Sequence, residues 1–156
     1  MAVSSLAEKY QFENWGVVRW GSRDGTVVDT IVVHHMAMTD FDGVPDVWRE
    51  REASAHYGIG PAGEIRAYVD EEKRAWHAKD ENSRSIGIEC CNVSGEPDWL
   101  VSDATVASLV KLIQDIQTRY DIKIIEGHCD APGNETACPG PSLYPRLAEI
   151  RQQVGL

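Results

Sequence analysis

No run of about 18 apolar residues, the length a membrane-spanning helix requires, occurs in the 156 residues. The first ten residues also lack a basic stretch leading into an apolar one, so neither an export signal nor membrane insertion is expected. Cationic charge is scarce: 15 Lys and Arg stand against 25 Asp and Glu, for a formal net charge of −10. A field of that sign disfavours nucleic acid and anionic membrane surfaces as partners. Regular cysteine spacing is missing as well. The four cysteines, Cys90, Cys91, Cys129 and Cys138, include an adjacent pair and form no framework of a disulfide-stapled secreted domain. There is no paired Cys-x-x-Cys, no His-Glu-x-x-His helix, no internal repeat and no low-complexity segment.

What is present fits one domain spanning 1–156, with 42% hydrophobic and 26% charged residues. Residues 27–33 are β-branched and nearly all apolar, which predicts a buried strand ending on His34-His35. A loop should follow, then a short helix over 46–52. Residues 55–60 and 64–69 read as a hairpin turning at Pro61-Ala62-Gly63. Residues 85–91 read as another buried strand, with Glu89 an ionisable group among apolar neighbours, costly if unpaired. The clearest helix covers 103–120, with Ser102 as N-cap and Val106, Leu109, Val110, Ile113, Ile116 and Tyr120 on one face. A strand over 122–125 leads to His128, a Gly/Pro-rich loop follows, and an amphipathic helix over 143–154 closes the chain. The fold class is α/β, a central mixed β-sheet flanked by helices.

A catalytic zinc site takes three nitrogen, sulfur or oxygen ligands and leaves a fourth position open. Such a set is on offer here: an imidazole from the His34-His35 strand end, a second from His128, and a thiolate from Cys138 across a loop able to turn back. Taken singly, each residue also suits packing, Cys138 as a small buried hydrophobe. The case rests on the combination.

Several ordered motifs resemble the zinc-dependent N-acetylmuramoyl-L-alanine amidases shared by phage endolysins and peptidoglycan recognition proteins. They are Thr30-Ile-Val-Val-His34-His35, Ser54-Ala-His56-Tyr57 with Pro61-Ala-Gly63-Glu64-Ile65, and Ala75-Trp76-His77-Ala78. Asn82-Ser-Arg-Ser85-Ile86-Gly87-Ile88-Glu89, Gly127-His128-Cys129-Asp130 and Thr136-Ala-Cys138-Pro139-Gly140 complete the series, over roughly 27–150. The resemblance implies a peptidoglycan-recognition-protein-like fold with Zn2+ held by His34, His128 and Cys138, and His35 adjacent without being a ligand. It implies hydrolysis of the amide between N-acetylmuramic acid and the L-alanine that begins the stem peptide. Ala55 stands where some members have a catalytic tyrosine, so Glu89 becomes the expected proton acceptor. Thr136 stands where some have a lysine thought to stabilise the oxyanion. His35, Trp76, His77, Asn82 and Thr136 are the expected substrate-binding residues. Asp130 is expected to hold the neighbouring loop or a ligand, and Trp48 and Trp99 to pack or lie at the surface.

The expected partner is peptidoglycan, met by a monomer that acts on the bacterial cell wall as a phage endolysin or its catalytic domain. A chain of this net charge would need a specific cleft or a separate targeting module to hold an acidic wall, and the sequence shows no such module. The alternative is a non-catalytic peptidoglycan-binding module of the same fold.

Overall fold

The computed structural model describes residues 3–12, 19–49 and 51–156. Its centre is a six-stranded sheet built from β1 (Glu8–Lys9), β3 (Thr30–His35), β4 (Tyr57–Ile59), β5 (Ile65–Ala67), β7 (Ser85–Cys90) and β8 (Ile124–Gly127), in the order β1-β5-β4-β7-β3-β8. The four strands β4, β7, β3 and β8 run parallel, β5 is antiparallel to β4, and β1 is parallel to β5. The sheet is therefore mixed, as the interleaved strand and helix signals required. A second, two-stranded sheet pairs β2 (Trp20–Ser22) with β6 (Lys73–Ala75).

Period-two alternation divides the side chains of the central strands between two faces. Ile31, Val33, Ile86, Ile88, Tyr57 and Ile59 enter the main core, where they meet Leu109, Leu112, Ile113 and Ile116 of α2 (Asp103–Ile116) and Leu147 and Ile150 of α4 (Leu147–Val154). Each such aliphatic side chain, fully removed from water, contributes roughly 1.5–3 kcal/mol. Val32 falls on the opposite face with Ala78 and Ala131. That second face is the one that carries the polar groups described below.

Ser102 caps α2 as its sequence position suggested, its hydroxyl accepting from the Thr105 amide at 3.1 Å. The helix stops at Ile116 rather than Tyr120. Thr118 donates its hydroxyl to the Asp115 carbonyl at 2.6 Å, and the amides of Arg119 and Tyr120 both turn to the Ile116 carbonyl, so the apolar face continues through a tightened turn. The strand expected from residue 27 begins at Thr30, because the Asp29 carbonyl is taken by the amides of Lys123 and Ile124, and Val27 is left 76% exposed.

The helix expected over 46–52 is instead α1 (Val44–Val47), started by Pro45 in its first turn; Glu50 lies outside the described residues. The expected closing helix is divided. After α3 (Gly140–Leu143) comes a 3-10 turn, Tyr144–Arg146, and only then α4, because Pro145 has no amide to give to a continuous helix. The strand before His128 is displaced to Ile124–Gly127, and β7 ends at Cys90.

Candidate active site

The three central strands end together. His34 stands near the carboxyl end of β3, in register with Glu89 of β7, and His128 directly follows β8, whose Gly127 pairs with Val33. Parallel pairing thus brings an imidazole, a carboxyl group and a second imidazole to one edge of the sheet. The loop after His128 returns to the same edge: the Cys129 amide donates to the Cys138 carbonyl at 2.9 Å, and the Cys138 amide donates to the Thr136 hydroxyl at 3.1 Å. Cys138 Sγ comes to 3.7 Å from His34 Nδ1, and Glu89 Oε1 to 3.9 Å from the same nitrogen.

One donor atom from each of His34, His128 and Cys138 lies within 4.8 Å of the others, a grouping able to hold a metal ion. His34, not His35, enters this set. His35 belongs to the other face, where Asn92 Nδ2 donates to its Nδ1 at 3.2 Å and Trp99 meets its ring edge-on at 5.6 Å. Gly140 makes room for it: with φ at +86° and a would-be Cβ only 3.0 Å from the His35 ring, that position suits glycine.

The donor chemistry fits zinc. Two imidazole nitrogens and one sulfur suit a borderline-soft cation better than Mg2+ or Ca2+, which want oxygen. Burial lowers the pKa of His34, His128 and His77, so the rings stay neutral and keep a lone pair at pH 7. Burial also pushes the Cys138 thiol up, with nearby Glu89 adding to it. Burial alone raises Glu89 to about 8. A cation among these groups would pull both acids back down.

The cleft over this edge has a volume of about 360 Å3. Its walls include His35, Trp76, His77, Glu89 and Thr136 beside the three donors, and also Trp48, Ala53 and Ser54. Of the expected site residues Asn82 alone is absent from these walls. Its side-chain oxygen accepts the amides of His77 at 3.0 Å and Ala78 at 2.7 Å, so it shapes the loop that carries His77. His77 lies flat over the sheet at Gly87, where a Cβ would come within 2.7 Å of its ring. Asp130 accepts from the Tyr144 hydroxyl at 2.9 Å and anchors the loop rather than a ligand.

Trp48, expected to pack or lie at the surface, does pack, buried and edge-on to Tyr68, and it is also a wall of the cleft, which its sequence position did not signal. Sequence reasoning also passed over Asn134, whose Oδ1 lies 2.9 Å from His128 Nε2, and Ser85, whose Oγ lies 3.2 Å from His77 Nε2. All four cysteines are free thiols.

Residues 24–141 match the Amidase_2 family, described as N-acetylmuramoyl-L-alanine amidase. The chain belongs to this family. Among curated amidases, it is 35% identical over 100 residues to the 1,6-anhydro-N-acetylmuramyl-L-alanine amidase AmpD of Citrobacter freundii. That match takes in 58% of this chain but only 52% of AmpD, so the chain spans about half the length of the curated relative. Among solved structures, the endolysin amidase LysCS of Clostridium intestinale URNW shares the fold, with a TM-score of 0.81 over 99% of this chain and 98% of that one at 22% identity. The amidase AmiD of E. coli, in complex with the substrate anhydro-N-acetylmuramic acid-L-Ala-D-gamma-Glu-L-Lys, is 27% identical with a TM-score of 0.69, covering 85% of this chain and 58% of that one. The peptidoglycan-recognition-like amidase architecture expected from the sequence is therefore the one present.

Proposed function

We propose that this amidase-family chain is a zinc-dependent hydrolase of the amide between N-acetylmuramic acid and the L-alanine of peptidoglycan stem peptides. The observation that carries the reading is the convergence of His34, His128 and Cys138 with Glu89 in one cleft. When bound by those three residues, zinc would supply Lewis acidity at the scissile carbonyl. Glu89 takes the proton of the attacking water and returns it to the leaving amine nitrogen. Its side chain suits both tasks: the apolar strand raises its proton affinity, a cation beside it would lower that affinity again so that the carboxylate is available as a base, and it faces the same opening as the donor trio. The Thr136 hydroxyl, which accepts from the Cys138 amide, retains its own hydrogen to donate to the developing oxyanion. Trp76 and Trp48 offer flat apolar walls for the sugar or peptide.

The intact donor trio favours an enzyme over a binding module that has lost a ligand. Within the enzymatic reading, an endolysin would act on the cell wall itself, whereas the likeness to AmpD favours compounds that carry 1,6-anhydro-N-acetylmuramyl-L-alanine. Digestion of both by the zinc-loaded protein, read by mass spectrometry, tests the assignment. Release of intact stem peptides with a free L-alanine amine is expected, and the substrate cut faster decides between the two. Cleaved sugars, cleaved cross-links, or wall binding with no release would overturn it.

A further inference from the structure

We propose that Asn134 and His77 are positioning residues that hold His128 and His34 in the tautomer protonated at Nε2, so that both rings offer Nδ1 to the cation. The inference rests on the zinc reading above and concerns which atoms of this chain make the site.

Asn134 settles one ring by elimination. Its Nδ2 faces three carbonyl oxygens, those of Ala78 at 3.1 Å and of Ala131 and Pro132 at 3.3 Å each. Carbonyls only accept, so the amide nitrogen must occupy that end and the oxygen must face the ring. His128 Nε2, 2.9 Å from that oxygen, is then the donor. A neutral ring with its hydrogen on Nε2 has its lone pair on Nδ1.

The second ring is reached through a longer chain. His34 Nε2 lies 2.9 Å from His77 Nδ1, while His34 Nδ1 faces Cys138 Sγ and Glu89. For that Nδ1 to be a ligand, the hydrogen of His34 must sit on Nε2 and pass its bond to His77 Nδ1. His77 then carries its own hydrogen on Nε2, where Ser85 Oγ at 3.2 Å accepts it. Ser85, His77 and His34 form a directed series of donors and acceptors, the kind of outer support that fixes the orientation of a metal-binding imidazole. The series is built in: Gly87 leaves the floor open for the His77 ring, and Asn82 pins the amides of His77 and Ala78 above it. His77 and Asn82 thereby act on the site through His34 rather than on substrate.

Imidazole 15N NMR of the folded protein reads the tautomers directly. The expected result is a hydrogen on Nε2 of His128 with and without zinc, and on Nε2 of His34 in the zinc-loaded protein. Chelator competition on the same preparations should place Asn134→Leu and His77→Phe about 10- to 100-fold weaker for zinc than the parent, with Asn134→Asp, which keeps an acceptor, within about threefold. A hydrogen on Nδ1 of either zinc-loaded ring, or parental zinc affinity in Asn134→Leu and His77→Phe, overturns the proposal. The NMR readout on the unaltered protein stands even where a variant fails to fold. Amidase activity with the wrong tautomers sinks this inference alone; the expected tautomers without stem-peptide release sink the proposed reaction alone.

Discussion

Glu89 is a carboxyl group in a strand whose neighbours along the chain, Ile88 and Cys90, are wholly buried. That contradiction was visible in the sequence, since alternation alone sends residue 89 away from the core that takes 86 and 88. Glu89→Gln keeps the shape and removes the base, so turnover is expected to fall about 10^2- to 10^4-fold while bound zinc stays at the parental level; near-parental rates with zinc retained would remove Glu89 from the mechanism. His56 allows a different test. Its Nδ1 accepts from the Gly87 amide at 3.0 Å and its Nε2 lies 2.8 Å from the Lys73 carbonyl, so the ring is used as a neutral one. Burial, with Arg23 adding to it, lowers its pKa to about 3. The unfolded chain takes up the proton near pH ~6.5 and the native one does not, so the stability due to this group is complete above that pH and is lost as pH falls towards the native value. Urea titrations between those limits should show a shallower pH slope for His56→Gln, by at most about 1.4 kcal/mol per pH unit; an unchanged slope would mean the ring is protonated in the fold. The donor trio was legible in ordered motifs. Asn134 and Ser85 were not, because their partners are set by a loop folding back and by a ring lying across a strand, neither of which has a spacing signature.

Elements with a strong periodic pattern were readable, and those held by single contacts were not. The apolar run before His34 and the Ile-x-Ile pattern before Glu89 announced β3 and β7, and the capped amphipathic face announced α2. By contrast β1, β2 and β6 are two or three residues long and read Glu-Lys, Trp-Gly-Ser and Lys-Arg-Ala, too short and too polar for an apolar alternation to reveal them, although Ala75 is buried. The turn after α2 is fixed by a partner remote in sequence: Arg119 Nε and Nη2 reach Glu71 Oε1 and Oε2 at 2.7 and 2.8 Å, and Tyr57 donates its hydroxyl to the same carboxylate. Glu71 is entirely buried, so Arg119→Met would strand a charge and is expected to cost about 3–5 kcal/mol of unfolding free energy. Double replacement with Glu71→Gln should cost less than the single change; equal or greater loss in chemical denaturation would show the pair is not coupled.

On the scale of the molecule, helices α2 and α4 close one face of the sheet and leave the strand ends free for chemistry, and no helix among the described residues is long and apolar enough to cross a membrane. A net charge of −10 was legible at once, and its field disfavours polyanion partners. Zinc that binds only the folded chain must stabilise it. Stripping with a chelator is expected to abolish amidase activity and to lower the melting temperature on the order of 5 °C, both restored by added zinc. Restoration of neither would separate the fold from the metal. The two imidazole donors sit at the end of β3 and directly after β8, neighbouring parallel strands that stand about 4.8 Å apart whatever their sequence, while Cys138 is brought in by a loop. The backbone lattice is therefore the ruler of the imidazole pair: apart from the loop that returns Cys138, the loops around it can lengthen, shorten or change their chemistry to suit another substrate, while the gap between the imidazoles stays that of a hydrogen-bonded sheet.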